Sequence, residues 1–280
     1  MKHSMRMLLR DWRAGELREI AGALVIAVAS ITSVAFFGDR VSQALVRDAH
    51  QLLGADLVLV SDHPFEDDLS KVIVENGLRR GSAVTFISMA IAGENSQLAG
   101  VKAVSENYPL RGRLRIAPAP GAPDAPATSG PPRGKVWIEE RLVAALGTPV
   151  GAKLKLGRSE LEVGAILTLE PERSANFFNV APRLMMHEAD VPATGLVQTG
   201  SRVWYYLYAA GDRQPIAALE KAVKPLLGRG QRVENLETGR PEVRATIERA
   251  QRFLGLTALL AAILAGVAIA LGARRFVERH

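Results

Sequence analysis

Two stretches without a single ionisable side chain bracket this sequence: Ile20 to Gly38, 19 positions, and Phe253 to Ala273, 21 positions. At 1.5 Å per helical residue each is long enough to cross a hydrocarbon layer of ~30 Å. One arginine at the centre of such a span costs ~2.5 to 3.5 kcal/mol on insertion scales, so the absence of charge from both is a physical signal. Both are predicted to be transmembrane helices. A cleavable signal peptide is the alternative for the first, with Ala27-Val28-Ala29 as its cleavage site, but the apolar run continues past it to Phe36-Phe37. A buried soluble helix is the alternative for the second. Apolar residues all round, with Gly255, Gly266 and Gly272 among them, suit lipid and close helix packing better.

Charge sets the orientation. Residues 1–19 hold Lys2, Arg6, Arg10, Arg13 and Arg18 against Asp11, Glu16 and Glu19, and the tail holds Arg274, Arg275 and Arg279 against Glu278. The segment 39–252 is balanced, with 27 basic and 25 acidic residues. Short positive ends stay cytoplasmic, whereas long loops translocate largely regardless of charge. Both termini are therefore expected in the cytoplasm and residues 39–252 outside. The net charge of +6 restates this topology and points to no nucleic acid. Met5, Leu8, Leu9 and Trp12 fall on one helical face with Arg6, Arg10 and Arg13 beside it, the pattern of an interfacial helix against anionic headgroups.

Beyond the first span, Val41, Leu45, Ala49 and Leu52 continue a helical stripe to Gly54; before the second, Val243, Ile247, Ala250 and Leu254 run a matching one from Pro241. These are two stalk helices, 39–54 and 241–252. Between them the pattern is α+β. Leu57 to Val60 is a strand, Pro64 to Asn76 a helix, and Ser82 to Ala92 with Gln97 to Val104 a hairpin. Residues 117–134 are nearly all Ala, Pro, Gly and Ser and are expected to form a flexible loop. Residues 135–170 follow as a strand-rich subdomain: a strand at Val136 to Ile138, a helix from Glu139 to Leu146, and a hairpin turning at Gly157-Arg158-Ser159. Strands at Arg183 to His187, Arg202 to Ala210 and Gln231 to Asn235, with a helix at Pro215 to Leu227, complete the domain.

Catalytic chemistry finds little support. The chain has no cysteine, which excludes disulfides, thiolate zinc sites and a cysteine nucleophile. No G-x-x-x-x-G-K-[ST], G-x-S-x-G or H-E-x-x-H string occurs, so neither ATP hydrolysis by this chain nor a hydrolase elbow is indicated. His187-Glu188 and Asp67-Asp68 are read as structural, the first pair because strand neighbours point to opposite faces, the second as helix-start chemistry. Trp204, Tyr206 and Tyr208 alternate on one strand face. Either they pack in the core, or Tyr206 and Tyr208 join Phe177 and Phe178 as a lipid or partner contact.

The sequence resembles the FtsX/MacB-type ABC transporter permeases, most closely the large FtsX-like permeases associated with lysophospholipase or esterase-linked export. The likeness is carried by Arg10-Asp11-Trp12-Arg13-Ala14-Gly15-Glu16-Leu17, Phe36-Phe37-Gly38-Asp39-Arg40-Val41, Leu52-Leu53-Gly54-Ala55-Asp56-Leu57 and Tyr108-Pro109-Leu110-Arg111-Gly112, and then by Pro192-Ala193-Thr194-Gly195-Leu196, Gly200-Ser201-Arg202-Val203 and the run Glu234 to Arg244. It implies an α+β MacB-like periplasmic core domain between two transmembrane helices, in the bacterial inner membrane. It also implies a permease that is no enzyme and holds no cofactor, with ATP on a separate cytoplasmic ATPase that drives the outer domain by mechanotransmission.

Further partners implied are the remaining permease helices or a second permease copy, membrane lipid, and a periplasmic esterase or lipoprotein as cargo. Such permeases have at least four membrane helices, so the chain is expected to be the N-terminal portion of a longer protein. The alternative is a two-helix membrane receptor with an extracytoplasmic ligand-binding domain.

Overall fold

A computed structural model describes residues 53–172 and 181–234 continuously, together with scattered positions between 22 and 40 and between 249 and 274. The chain divides into two units, residues 48–241 and the paired flanks 1–47 and 242–280. Every described flank position is helical. Among the described residues no helix is long and apolar enough to cross a membrane. Most of the expected spans and stalks, and the leader with Arg6, Arg10, Trp12 and Arg13, lie outside the described residues.

The central unit is built on one sheet. Strand β1 (Leu57–Ser61) is apolar from Leu57 to Val60 because both of its faces are covered. Leu57 and Leu59 meet helices α1 (Asp67–Glu75) and α4 (Arg213–Val223), through Leu69, Ile73, Leu219 and Val223. Val58 and Val60 face the opposite cluster. Each of these buried aliphatic side chains contributes ~1.5 to 3 kcal/mol by leaving water. Strands β1, β2 (Arg79–Ala92), β10 (Trp204–Ala210) and β11 (Gln231–Glu234) lie in the order β11-β1-β10-β2, all neighbours antiparallel. With α1 joining β1 to β2 and α4 joining β10 to β11, this is a split βαβ sheet with the rest of the domain inserted between β2 and β10.

The insertion is a closed barrel. Strand β2 pairs with β3 (Asn95–Val104), β3 with β9 (Arg183–His187), β9 with β6 (Lys135–Glu139), β6 with β8 (Ser159–Leu169), β8 with β7 (Lys153–Leu156), and β7 returns to β2 at Ala90 and Ile91. Side chains alternating inward from these strands, among them Phe86, Val101, Ile138, Leu156, Val163 and Met186, fill the interior. Helix α2 (Glu140–Leu146) closes it with Leu142, Val143 and Leu146. The strand-rich subdomain expected over 135–170 thus draws in β2, β3 and β9 as well, because the parallel pairs β3·β9 and β6·β8 bring distant segments together.

The stretch 117–134 is not the featureless loop its composition suggests. Strand β4 (Arg115–Ala117) pairs with β5 (Ala125–Pro126). Arg115 grips Asp124 with Nε and Nη2 at 2.9 and 2.6 Å, and Thr168 donates to the same carboxylate at 2.8 Å. Ala127 N donates to Leu114 O at 2.9 Å. One ion pair and backbone hydrogen bonds supply the order that the small side chains cannot. A short helix α3 (Val191–Thr194) follows β9.

Candidate functional site: a buried charge cluster at the entry to the sheet

In the strand sequence Leu98-Ala99-Gly100-Val101-Lys102-Ala103-Val104 one lysine stands among apolar and small residues, and its register opposite Thr85 and Met185 turns it onto the face that carries Tyr206 and Tyr208. Lys102 is 2% exposed. Its three ammonium protons find three acceptors: Tyr108 Oη at 2.8 Å, Glu170 Oε1 at 2.9 Å and Glu172 Oε2 at 2.8 Å. The carboxylates come from the segment that leaves β8. Glu170 Oε2 accepts from Arg183 Nε at 2.8 Å, and Glu172 Oε2 also accepts from the Tyr208 hydroxyl at 2.9 Å. Two cations thus face two carboxylates inside a low-dielectric site, with the rings of Tyr108 and Tyr208 5.4 Å apart as its wall.

The electrostatics fix the protonation states. Burial disfavours the charge on Glu170, but Lys102 and Arg183 outweigh it and hold the carboxyl down at about 2. Burial likewise opposes the Lys102 cation, and Glu172 and Glu170 more than compensate, so its pKa stands above the ordinary lysine value. Burial pushes the Tyr108 and Tyr208 hydroxyls well above theirs, with Glu172 adding at both and Glu170 at Tyr108. Near neutral pH the lysine is charged, Glu170 ionised and the phenols neutral, the states in which the cluster ties chain segments together.

What is tied is the place where the chain enters the domain. Glu172 Oε1, without a hydrogen-bond donor among the described residues, lies over Gly54, where an added Cβ would stand 2.5 Å from it. Arg111 N donates to Gly54 O at 2.8 Å, and the Arg111 guanidinium donates to Asp56 Oδ2 at 2.9 and 2.7 Å. Asp56 Oδ2 also accepts from Gly211 N at 3.0 Å. Two of the sequence motifs, Leu52 to Leu57 and Tyr108 to Gly112, therefore meet here.

The expected contact residues fare unequally. Tyr208 is completely buried and Tyr206 is half-buried, stacked on it at 6.2 Å, so the Tyr208 side chain is a wall of the cluster and not a surface. Phe177 and Phe178 lie outside the described residues. His187 Nδ1 accepts from Ala189 N and Glu188 accepts from Ser82 Oγ at 2.6 Å, both structural contacts. Among the described residues no group of His, Cys, Asp and Glu could hold a metal ion. The cluster itself was missed by motif reasoning; its one sequence signal was the lone lysine in an apolar strand.

A family model of the MacB-like periplasmic core domain matches residues 20–226. The chain belongs to that family. Over 272 residues, 97% of its length, it is 34% identical to the ABC transporter permease YbbP of Escherichia coli, and it spans 33% of that protein. The resemblance to FtsX/MacB-type permeases thus extends through both charge-free spans. Among solved structures, the extracellular domain of the noncanonic ABC-type transporter YknZ from Gram-positive bacteria aligns with 64% of this chain and 100% of that one, at TM-score 0.45 and 12% identity. The periplasmic region of MacB from Actinobacillus actinomycetemcomitans aligns with 70% of this chain and 95% of that one, at TM-score 0.42 and 12% identity. Within this MacB-like core, the cluster stands where the inserted barrel, the split βαβ sheet and the incoming chain converge.

Proposed function

We propose that the chain is the N-terminal portion of the permease subunit of an ABC transporter of the MacB/FtsX type. A separate cytoplasmic ATPase binds the nucleotide and drives movement of the periplasmic domain, which promotes export or release of lipid- or protein-like cargo. The observation that carries this is the identity of 34% to an ABC transporter permease over nearly the whole chain, both charge-free spans included. In this reading residues 20–38 and 253–273 cross the inner membrane, both termini are cytoplasmic, and the chain itself carries no catalytic centre or cofactor.

Two structural features support it. Large apolar side chains at described flank positions, including Phe37, Phe253, Leu260 and Leu264, are more than half exposed, as lipid-facing residues are. Strand β1 begins beside the end of β11, with Val58 opposite Glu234, so the domain receives and releases the chain at one end of its sheet, as a domain hung on two stalks requires.

The test is to tag the permease in its native membrane and ask what co-purifies. A phosphate-loop ATPase in fixed stoichiometry, together with alkaline phosphatase fusions active after residue 160 and inactive after residue 278, is the expected result. Loss of either part overturns the proposal.

A further inference from the structure

We infer that the outer face of the β2·β3 hairpin, where Ile87, Met89, Ile91 and Leu98 stand beside Lys155 and Arg158, is the docking surface for a water-soluble protein whose apolar contact is flanked by carboxylates. This rests on the permease reading above for placing the domain in the periplasm with such a partner.

Along β2 the side chains alternate. Phe86 and Ala90 fill the barrel, and Ile87, Met89 and Ile91 point outward. Met89 stands opposite Leu98 of β3, with Ser96 opposite Ile91 and Gly100 opposite Ile87, so the apolar row has small neighbours. All four apolar side chains are between 39 and 46% exposed. Farther back on the same face Ala83 and its partner Val104 are buried in one cluster with Tyr108 and Leu110. That cover ends before Ile87. A lone exposed aliphatic residue needs no explanation, whereas four contiguous ones on one face mark a contact surface.

The surroundings select the occupant. The row lies on the outside of a closed barrel, whereas small amphiphiles are held in clefts that enclose most of their surface. It also lies 8 to 12 residues beyond Arg79, roughly 26 to 40 Å along an extended strand. Arg79 stands at the end of the sheet where β1 begins and β11 stops, so the row is remote from the place that receives and releases the chain, which disfavours a membrane. Lys155 is the register partner of Ile91, and Arg158 occupies the turn between β7 and β8. Both are exposed, and neither forms an ion pair among the described residues. Lys153, by contrast, has Glu160 at 3.9 Å, and Glu94 sits at the hairpin tip. Two unpaired cations beside an apolar centre are matched by a protein surface with carboxylates on that flank, the pairing that steers association and fixes orientation.

The experiment uses the full-length permease. Ile87→p-benzoylphenylalanine and Leu98→p-benzoylphenylalanine are irradiated in cells, and the adducts are identified by mass spectrometry. A periplasmic protein joined at both positions is expected. That protein, purified, is then titrated against the permease in phosphatidylcholine nanodiscs. Its Kd is expected to rise about tenfold or more in Met89→Glu. In Lys155→Glu, and on raising salt from about 50 to 300 mM, it is expected to rise about threefold or more. Lys71→Glu, on helix α1, is expected to leave it within about twofold. If Met89→Glu lowers the melting temperature, Leu98→Gln takes its place with the same expectation.

The inference is overturned by an adduct of two permease copies, by an adduct with lipid alone, or by no adduct. It is equally overturned if the purified protein binds the folded Met89 or Lys155 variant as it binds the wild type. The phosphatase fusions described above read the permease reading separately: with residue 160 outside, these failures strike the docking surface alone, and with residue 160 inside both fall.

Discussion

Lys102 and Glu170, 68 positions apart in the chain, form a 2.9 Å ion pair whose side chains are 3% and 1% exposed. Such a pair is stabilising only while complete, because either partner alone is a buried, uncompensated charge. Lys102→Met removes the cation and leaves Glu170 and Glu172 facing each other across the gap. A loss of about 3 to 5 kcal/mol is expected, read as a lowered denaturation midpoint at unchanged slope. Glu170→Gln, which leaves Lys102 its Glu172 partner, is expected to cost less. Equal stability of Lys102→Met and wild type refutes the account.

The same cluster sets a pH profile with two edges. Glu170 is held at about 2 in the folded protein, below its ordinary value, so its contribution is complete above the usual carboxylate range and is lost as pH falls toward 2. The size is on the order of 3 kcal/mol. Lys102, Tyr108 and Tyr208 are raised, so their contribution is complete below about pH 10 and is lost above it, as the unfolded chain gives up its protons first. Stability measured by denaturant titration is expected to be flat between pH 5 and 9 as far as these groups decide it. In Lys102→Met the acid edge moves upward, because Glu170 keeps only Arg183 as its cation.

Much of this fold was readable from periodicity. The apolar run Leu57 to Val60, the alternation through β2 and β3, and the helix of Asp67–Glu75 ended by Gly77 fall where local pattern puts them. What periodicity does not carry is pairing between remote segments. The parallel ladders β3·β9 and β6·β8 help to close the barrel through residues that look like any buried strand, and nothing local distinguishes Val101 opposite Leu184, or Ile138 opposite Ile166, from another apolar pair. The cluster was hidden for the same reason: Lys102 reads as one cation in a strand until Glu170 and Glu172 arrive from 68 and 70 positions away. Composition alone does not foretell the contacts of 117–134, because they rest on single residues, Arg115 just before the stretch and Asp124 within it.

Gly54 and Gly77 form a matched pair for isolating the entry contact. Both adopt φ of +70°, so alanine at either carries the same left-handed strain of about 1 to 2 kcal/mol. At Gly77 a Cβ meets nothing within 4 Å, whereas at Gly54 it meets the Glu172 carboxylate. Gly54→Ala is therefore expected to destabilise at least twice as much as Gly77→Ala, and Glu172→Gln in the Gly54→Ala background to add less than it does alone. Denaturation of the four proteins side by side measures this. Equal penalties at the two glycines mean that Glu172 yields without consequence.

Asp124 is the residue on which order in the Pro/Ala stretch turns. It accepts from Arg115 and Thr168, and Arg115 holds it ionised at about 2, well below the usual range, chiefly by hydrogen bonding. The pair is at the surface, so its removal is expected to change global stability little. Asp124→Ala instead frees β5 from β4, since a two-residue strand has too few ladder bonds to stay paired without it. Amide exchange across residues 118–130 is expected to rise about tenfold or more while the barrel strands keep their protection. The wild type is expected to show the same opening as pH falls below 3, where Asp124 takes up its proton. Unchanged exchange in Asp124→Ala would assign the order of this stretch to its prolines and to the packing of Gly130 on Val104.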